Sequence, residues 1–130
     1  MMSAVVLDTH AIIWYFLDSP KLSEFARESI DSASHIYLAS ISLVEMIYLN
    51  EKSRIPDVAL ERLNQALSDP YTAWIVTVLD TSIAQSIQRI PREIVPEMPD
   101  RIIAATAVYL DFPLVTRDLN IKQLNIQTIW

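Results

Sequence analysis

Short apolar runs recur along the chain, and each gives way to a segment whose hydrophobic spacing is that of a helix or to a turn. Residues 4–7 are apolar and end at Asp8, and a strongly apolar stretch at 10–17 follows without a breaker, so a buried strand feeds a buried helix. Ser19 and Pro20 stop it. Over 23–33 the apolar positions Phe25, Ala26 and Ile30 fall at helical spacing, with acids early in the segment where the helix dipole favours them. Residues 36–39 form a second strand, Ser42 opens a helix through about residue 52, and Asp57 caps another through about residue 67. Asp69 and Pro70 then turn the chain into a third strand at 74–78, and Asp80 caps a short helix ending near residue 90. Pro91, Pro96 and Pro99 make 91–99 an extended loop, and Pro99 suits the first turn of a helix over 100–110. Residues 113–116 are a fourth strand and 127–130 a candidate fifth. Strands alternating with helices predict a three-layer α/β/α sandwich around a mostly parallel sheet, in a single domain over 1–130.

Composition agrees with this reading. The chain has 130 residues, 52% hydrophobic and 20% charged, which suits one packed domain and sets disorder aside. Its longest apolar stretch, 11–17, is too short to cross a bilayer, and no basic segment precedes it, so the expected location is the cytoplasm. Cysteine is absent, which removes disulfides, thiol catalysis and zinc-thiolate sites, and two histidines are too few for a histidine-rich metal site. Glycine is also absent, which argues against the tight phosphate-cradling loops of dinucleotide and P-loop folds.

Four acids, Asp8, Glu45, Asp100 and Asp118, each lie where an apolar run gives way to a helix or turn. In an open parallel sheet the carboxyl ends of the strands converge on one edge, so acids remote in sequence meet there. Two like charges about 4 Å apart repel by roughly 4 kcal/mol at an effective dielectric near 20, and a hard divalent ion with oxygen ligands offsets that best. The net charge of −6 counts little against a phosphate-bearing substrate, because setting these four acids aside brings the remainder closer to neutral. Each acid also has a plain structural reading. Asp8 can cap the helix after Thr9, Asp100 suits a helix first turn, and Asp118 can cap or close a turn. Glu45 completes a capping box with Ser42. Capping does not explain why all four follow the strand ends; Asp57 and Asp80 read as caps alone.

Val5-Val6-Leu7-Asp8-Thr9-His10-Ala11, Ile41-Ser42-Leu43-Val44-Glu45, Asp100-Arg101-Ile102-Ile103-Ala104-Ala105-Thr106-Ala107 and Leu114-Val115-Thr116-Arg117-Asp118 follow one another along the chain. In order and content they resemble the PIN domain, specifically the VapC-type ribonuclease toxins of bacterial toxin–antitoxin pairs. The resemblance implies Mg²⁺- or Mn²⁺-dependent cleavage of RNA, with Asp8, Glu45, Asp100 and Asp118 as both catalytic residues and metal ligands. It also implies a small antitoxin partner, and the surplus of apolar residues joins it in predicting a homodimer. Thr9 and Thr116 place hydroxyls beside the acids, and Arg101 and Arg117 either reach substrate phosphates or pair with the acids as structural salt bridges. Glu97-Met98 stands where the family often has Asp-Pro; Glu97 reads as a solvated loop residue, with an auxiliary acid as the alternative. His10 reads as local packing or a substrate contact, and His35 as loop. Ile12 to Leu17, including Trp14, Tyr15 and Phe16, reads as core, with a partner surface as the alternative.

Rival classes fit less well. A phosphatase of the haloacid-dehalogenase type needs a second Asp where His10 stands, and a receiver domain needs an acidic pair at the first strand and a lysine where Thr116-Arg117 stands. A PIN fold that binds a partner without catalysis is the remaining alternative, against which the intact acids speak.

Overall fold

A computed structural model describes residues 3–130. The chain runs from β1 (Ala4–Leu7) through α1 (Thr9–Phe16) and α2 (Glu24–Ser32) to β2 (His35–Ala39), then through α3 (Ser40–Glu51) and α4 (Asp57–Ser68) to β3 (Trp74–Thr77). α5 (Thr81–Ser86), a 3₁₀ turn at Ile87–Arg89 and α6 (Met98–Leu110) lead to β4 (Leu114–Val115), and α7 (Leu119–Lys122) precedes β5 (Thr128–Ile129). The strands lie in the order β3-β2-β1-β4-β5 and every pairing is parallel. The chain therefore steps outward from β1 to β3, then crosses back to the other side of β1. That reversal creates a switch point between β1 and β4, where the connections leaving neighbouring strands diverge and leave a crevice.

Alternation along the strands divides the core in two. Val5 and Leu7 join Ile36, Leu38 and Val115 on one face, where α1, α2 and α4 bring Ile12, Ile30 and Leu63. Val6 faces the other way with Ala39 and Leu114, under Ile83 of α5 and Ile103, Ala104 and Ala107 of α6. With helices on both faces β1 has no solvated side, which is why its sequence is an unbroken apolar run. The expected three-layer sandwich is the fold observed.

Several boundaries differ from the sequence expectation for local reasons. α3 opens at Ser40, with Ala39 as its N-cap and no side-chain cap, so Ser42 and Glu45 form no capping box. Pro56, not Asp57, is the N-cap of α4, and Asp57 accepts a 2.8 Å hydrogen bond from Asn50 Nδ2. His35 begins β2 instead of lying in a loop. α6 starts at Met98, which puts Pro99 in its first turn as expected. Without glycine, left-handed backbone falls on Asp18 (φ 51°), Ser53 (φ 59°) and Asp111 (φ 59°). The aspartates are tolerable there, since a short polar side chain suits the conformation better than most.

Candidate active site

Asp8 follows β1 and caps α1, its Oδ1 accepting from the Ala11 amide at 2.8 Å. Asp118 lies beyond the carboxyl end of the neighbouring β4 and caps α7, its Oδ1 accepting from the amides of Asn120 at 2.8 Å and Ile121 at 3.0 Å. A carboxylate has two oxygens, so a cap and a ligand are compatible roles for one residue. Thr116, buried between them in sequence, holds Asp118 from behind: its Oγ1 accepts from the Asp118 amide at 3.0 Å.

Glu45 reaches the same place from the middle of α3. Its Oε1 lies 2.6 Å from the Thr9 hydroxyl, which is also 3.0 Å from Ser42 Oγ. A hydroxyl has one proton and an ionised carboxylate has none, so Thr9 donates to Glu45 and the Ser42 hydroxyl supplies the second bond. Thr9 and Ser42 are both buried, and this pair pins α3 to the start of α1. The tertiary bond replaces the capping box.

Asp100 enters from the first turn of α6. Its carboxyl is pushed up from 3.8 to about 6, first by burial and then by the charges of Asp118, Glu45, Asp8 and Glu97. Burial also raises the Asp8 pKa, opposed by hydrogen bonds from Thr116 and Ala11 and by the proximity of His10, with Asp118 adding to the rise. Asp8, Glu45, Asp100 and Asp118 thus line one crevice of about 290 Å³, with Thr9, His10, Trp14 and Arg117 around them. A larger hollow of about 570 Å³ lies by the start of β4, near Ile90, Phe112 and Gln127, and lacks such a cluster of acids.

The surrounding residues divide. Arg117 is exposed at the crevice, its guanidinium 4.4 Å from the centre of the Trp14 ring. Arg101 turns away: its Nε and Nη2 donate to the Ile90 carbonyl at 3.1 and 2.9 Å, and Nη2 also reaches the Ile87 carbonyl at 3.2 Å. It neither lines the crevice nor pairs with an acid, and the expectation that it would is corrected by these bonds, which close the carbonyl end of the 3₁₀ turn. Glu97 is an exposed N-cap residue of α6 that adds to the field on Asp100 without lining the crevice. His10 is exposed and tilts against Trp14 at 5.4 Å. Trp14 is the crevice residue outside the expected set, and Ser42 is buried, bonded to the Thr9 that lines the crevice.

Among the described residues, no three acidic or histidine side chains stand close enough, as placed, to enclose an ion. The donors nevertheless suit a hard divalent cation, since they are carboxylate oxygens, and among the described residues no ion pair neutralises any of the four. The raised Asp100 pKa reflects burial first and the neighbouring carboxylates second. No helix among the described residues is long and apolar enough to cross a membrane.

Comparison with known proteins agrees with this fold. The family model of the PIN domain matches residues 5–126. The chain belongs to the PIN domain family. A relative, Ribonuclease VapC22 of Mycobacterium tuberculosis (strain ATCC 25618 / H37Rv), is 27% identical over 129 residues, covering 93% of this chain and 92% of its own. The DNA-bound VapBC of Salmonella typhimurium superposes with a TM-score of 0.72 at 26% identity, covering 98% of this chain and 97% of the other. VapBC-5 of Mycobacterium tuberculosis, a member of the VapBC family of toxin-antitoxin systems, has the same fold, with a TM-score of 0.64 at 18% identity and 97% of each chain covered. Within that family the chain is similar to Ribonuclease VapC22 and to chains of VapBC complexes.

Proposed function

We propose that this PIN domain, acting as one unit over 1–130, is a metal-dependent endoribonuclease of the cytoplasm and the toxin of a toxin–antitoxin pair. The observation that carries the reading is the convergence of Asp8, Glu45, Asp100 and Asp118, from four separate segments, on one crevice in which, among the described residues, no ion pair offsets their charge. In this reading the four hold Mg²⁺ or Mn²⁺, which supplies Lewis acidity toward water and toward the scissile phosphate. The chain's own groups do the positioning. Thr9 fixes the Glu45 carboxylate through a 2.6 Å bond, Thr116 fixes Asp118, and the caps on α1 and α7 orient Asp8 and Asp118. Arg117 is the cation placed to meet a phosphate at the rim. A homodimer and an antitoxin whose segment crosses the acidic groove complete the reading. Val44, Ile47 and Tyr48, exposed on the outer side of α3 at helical spacing, support such contacts, as do the relatives solved as VapBC complexes.

The test is cleavage of single-stranded or looped RNA by the purified protein with Mg²⁺ or Mn²⁺, alongside Asp8→Asn and Glu45→Gln. Asparagine retains an oxygen for the Ala11 amide and glutamine one for the Thr9 hydroxyl, so both variants are expected to fold and to lose cleavage by orders of magnitude. Chelation of the wild type is expected to reproduce the loss. Cleavage that persists in both variants and without metal overturns the site; no cleavage under any condition leaves a PIN fold that binds without catalysis.

A further inference from the structure

Trp14 stands apart because, among the tryptophan, tyrosine and phenylalanine residues described, it lines the acidic crevice. It is only partly buried, and its ring is held from several sides: Trp130 packs edge-on at 5.8 Å and His10 tilts against it at 5.4 Å. Two cations attend the same indole, Arg117 at 4.4 Å and Lys21 at 5.9 Å from the ring centre. In a chain with 10 Lys and Arg against 16 acids, two of the few cations meet at one ring beside the acids. Among the described residues, the Arg117 side chain makes no hydrogen bond or ion pair, although Asp118 is its neighbour. Its donors are therefore available while its guanidinium carbon lies 4.4 Å from the indole centre.

We infer that Trp14 is a stacking platform for an unpaired base next to the scissile phosphate, with Arg117 and Lys21 holding the adjoining backbone. The inference rests on the ribonuclease reading and names its substrate class as single-stranded nucleic acid with an exposed base at that position. An indole offers a flat face to any base, and guanidinium and ammonium groups bind the phosphates on either side of it. A paired base has no free face to offer, so the platform selects against duplexes. Arg117 is displaced from the ring, or sandwiches the base against it, and in either case its donors turn to phosphate.

The experiment measures binding by fluorescence anisotropy, using a ten-nucleotide oligo(A) RNA and an abasic ribose-phosphate strand of equal length, with Ca²⁺ to hold charge balance without turnover. The wild type is expected to bind the base-bearing strand about 10- to 100-fold more tightly, the range that loss of one aromatic stack produces. Trp14→Leu is expected to erase that preference while leaving affinity for the abasic strand within about 2-fold, and Trp14→Phe to retain most of it. A preference that survives in Trp14→Leu, or one absent from the wild type, overturns the inference. Circular dichroism monitors folding; should Trp14→Leu fail to fold, Trp14→Phe decides, because its smaller ring must weaken the preference without altering abasic binding. Wild-type RNA cleavage with Mn²⁺ is scored separately: its absence counts against the ribonuclease reading, whereas cleavage without a base preference counts against Trp14 alone.

Discussion

Replacing Asp100 with asparagine is expected to stabilise the metal-free protein at neutral pH. The Asp100 carboxyl is pushed up from 3.8 to about 6 by burial and by Asp118, Glu45, Asp8 and Glu97, in that order. Each tenfold change in proton affinity is worth about 1.4 kcal/mol, so the ionised group destabilises the fold by at most roughly 3 kcal/mol. Asp100 is only half-buried, and solvent screening reduces this to about 1–2 kcal/mol. The sign follows from the protonation states. Below about pH 4 the carboxyl is protonated in folded and unfolded chains alike, and there is no penalty. As pH rises through about 6 the folded chain must give up a proton it binds more tightly than the unfolded chain does, and stability falls. Asparagine is neutral throughout, so its advantage grows between pH 4 and 6 and is complete at pH 7. Urea unfolding in EDTA at pH 4.5 and pH 7 measures it, read as a midpoint shift at constant slope. Adding Mg²⁺ or Mn²⁺ should stabilise the wild type more than the variant, because the ion binds the site that the carboxylate completes. A variant no more stable than wild type at pH 7, or equally stabilised at both pH values, refutes the account of a buried carboxylate crowded by like charges.

Thr9→Val keeps the shape but leaves Glu45 and Ser42 without their shared partner, and should lower stability by about 1–2 kcal/mol in thermal unfolding, with Thr9→Ser restoring most of it. Arg101→Lys cannot reproduce the fork that bonds the Ile87 and Ile90 carbonyls, so it should cost roughly 1–2 kcal/mol while leaving the salt dependence of RNA binding unchanged; Arg117→Lys, by contrast, should leave stability within about 0.5 kcal/mol and change RNA affinity. Ser53→Gly relieves a left-handed residue just beyond α3 and should raise the urea midpoint by the equivalent of roughly 0.5 kcal/mol, the steric gain being partly offset by added freedom in the unfolded chain.

The sheet and the acids were legible because their signals are local and redundant. A strand covered on both faces, such as Ala4–Leu7, announces itself as an apolar run, and an acid directly after it is placed by the topology. Ser42 shows where local signals mislead: its spacing to Glu45 matches a capping box, yet a buried bond to Thr9, thirty-three residues earlier, takes both side chains. Arg101 illustrates the same limit, since adjacency to Asp100 says nothing of direction, and successive helix residues point about 100° apart. Trp14 was hidden because an aromatic in an apolar helix looks the same whether its ring meets the core or the edge of a crevice; only the packing of Trp130 beside it decides.

The strand order also determines how the molecule comes apart. A cut in the exposed turn after β3, at residues 78–80, leaves Asp8 and Glu45 on one piece and Asp100 and Asp118 on the other, so neither piece holds more than half of the acids. The joint between the pieces includes the pairing of Val6 with Leu114 and Leu7 with Val115, and the crevice sits on that seam. A nick in the turn therefore spares the crevice for as long as the pieces remain clasped, whereas anything that pries β4 from β1 erases it without touching a single carboxylate.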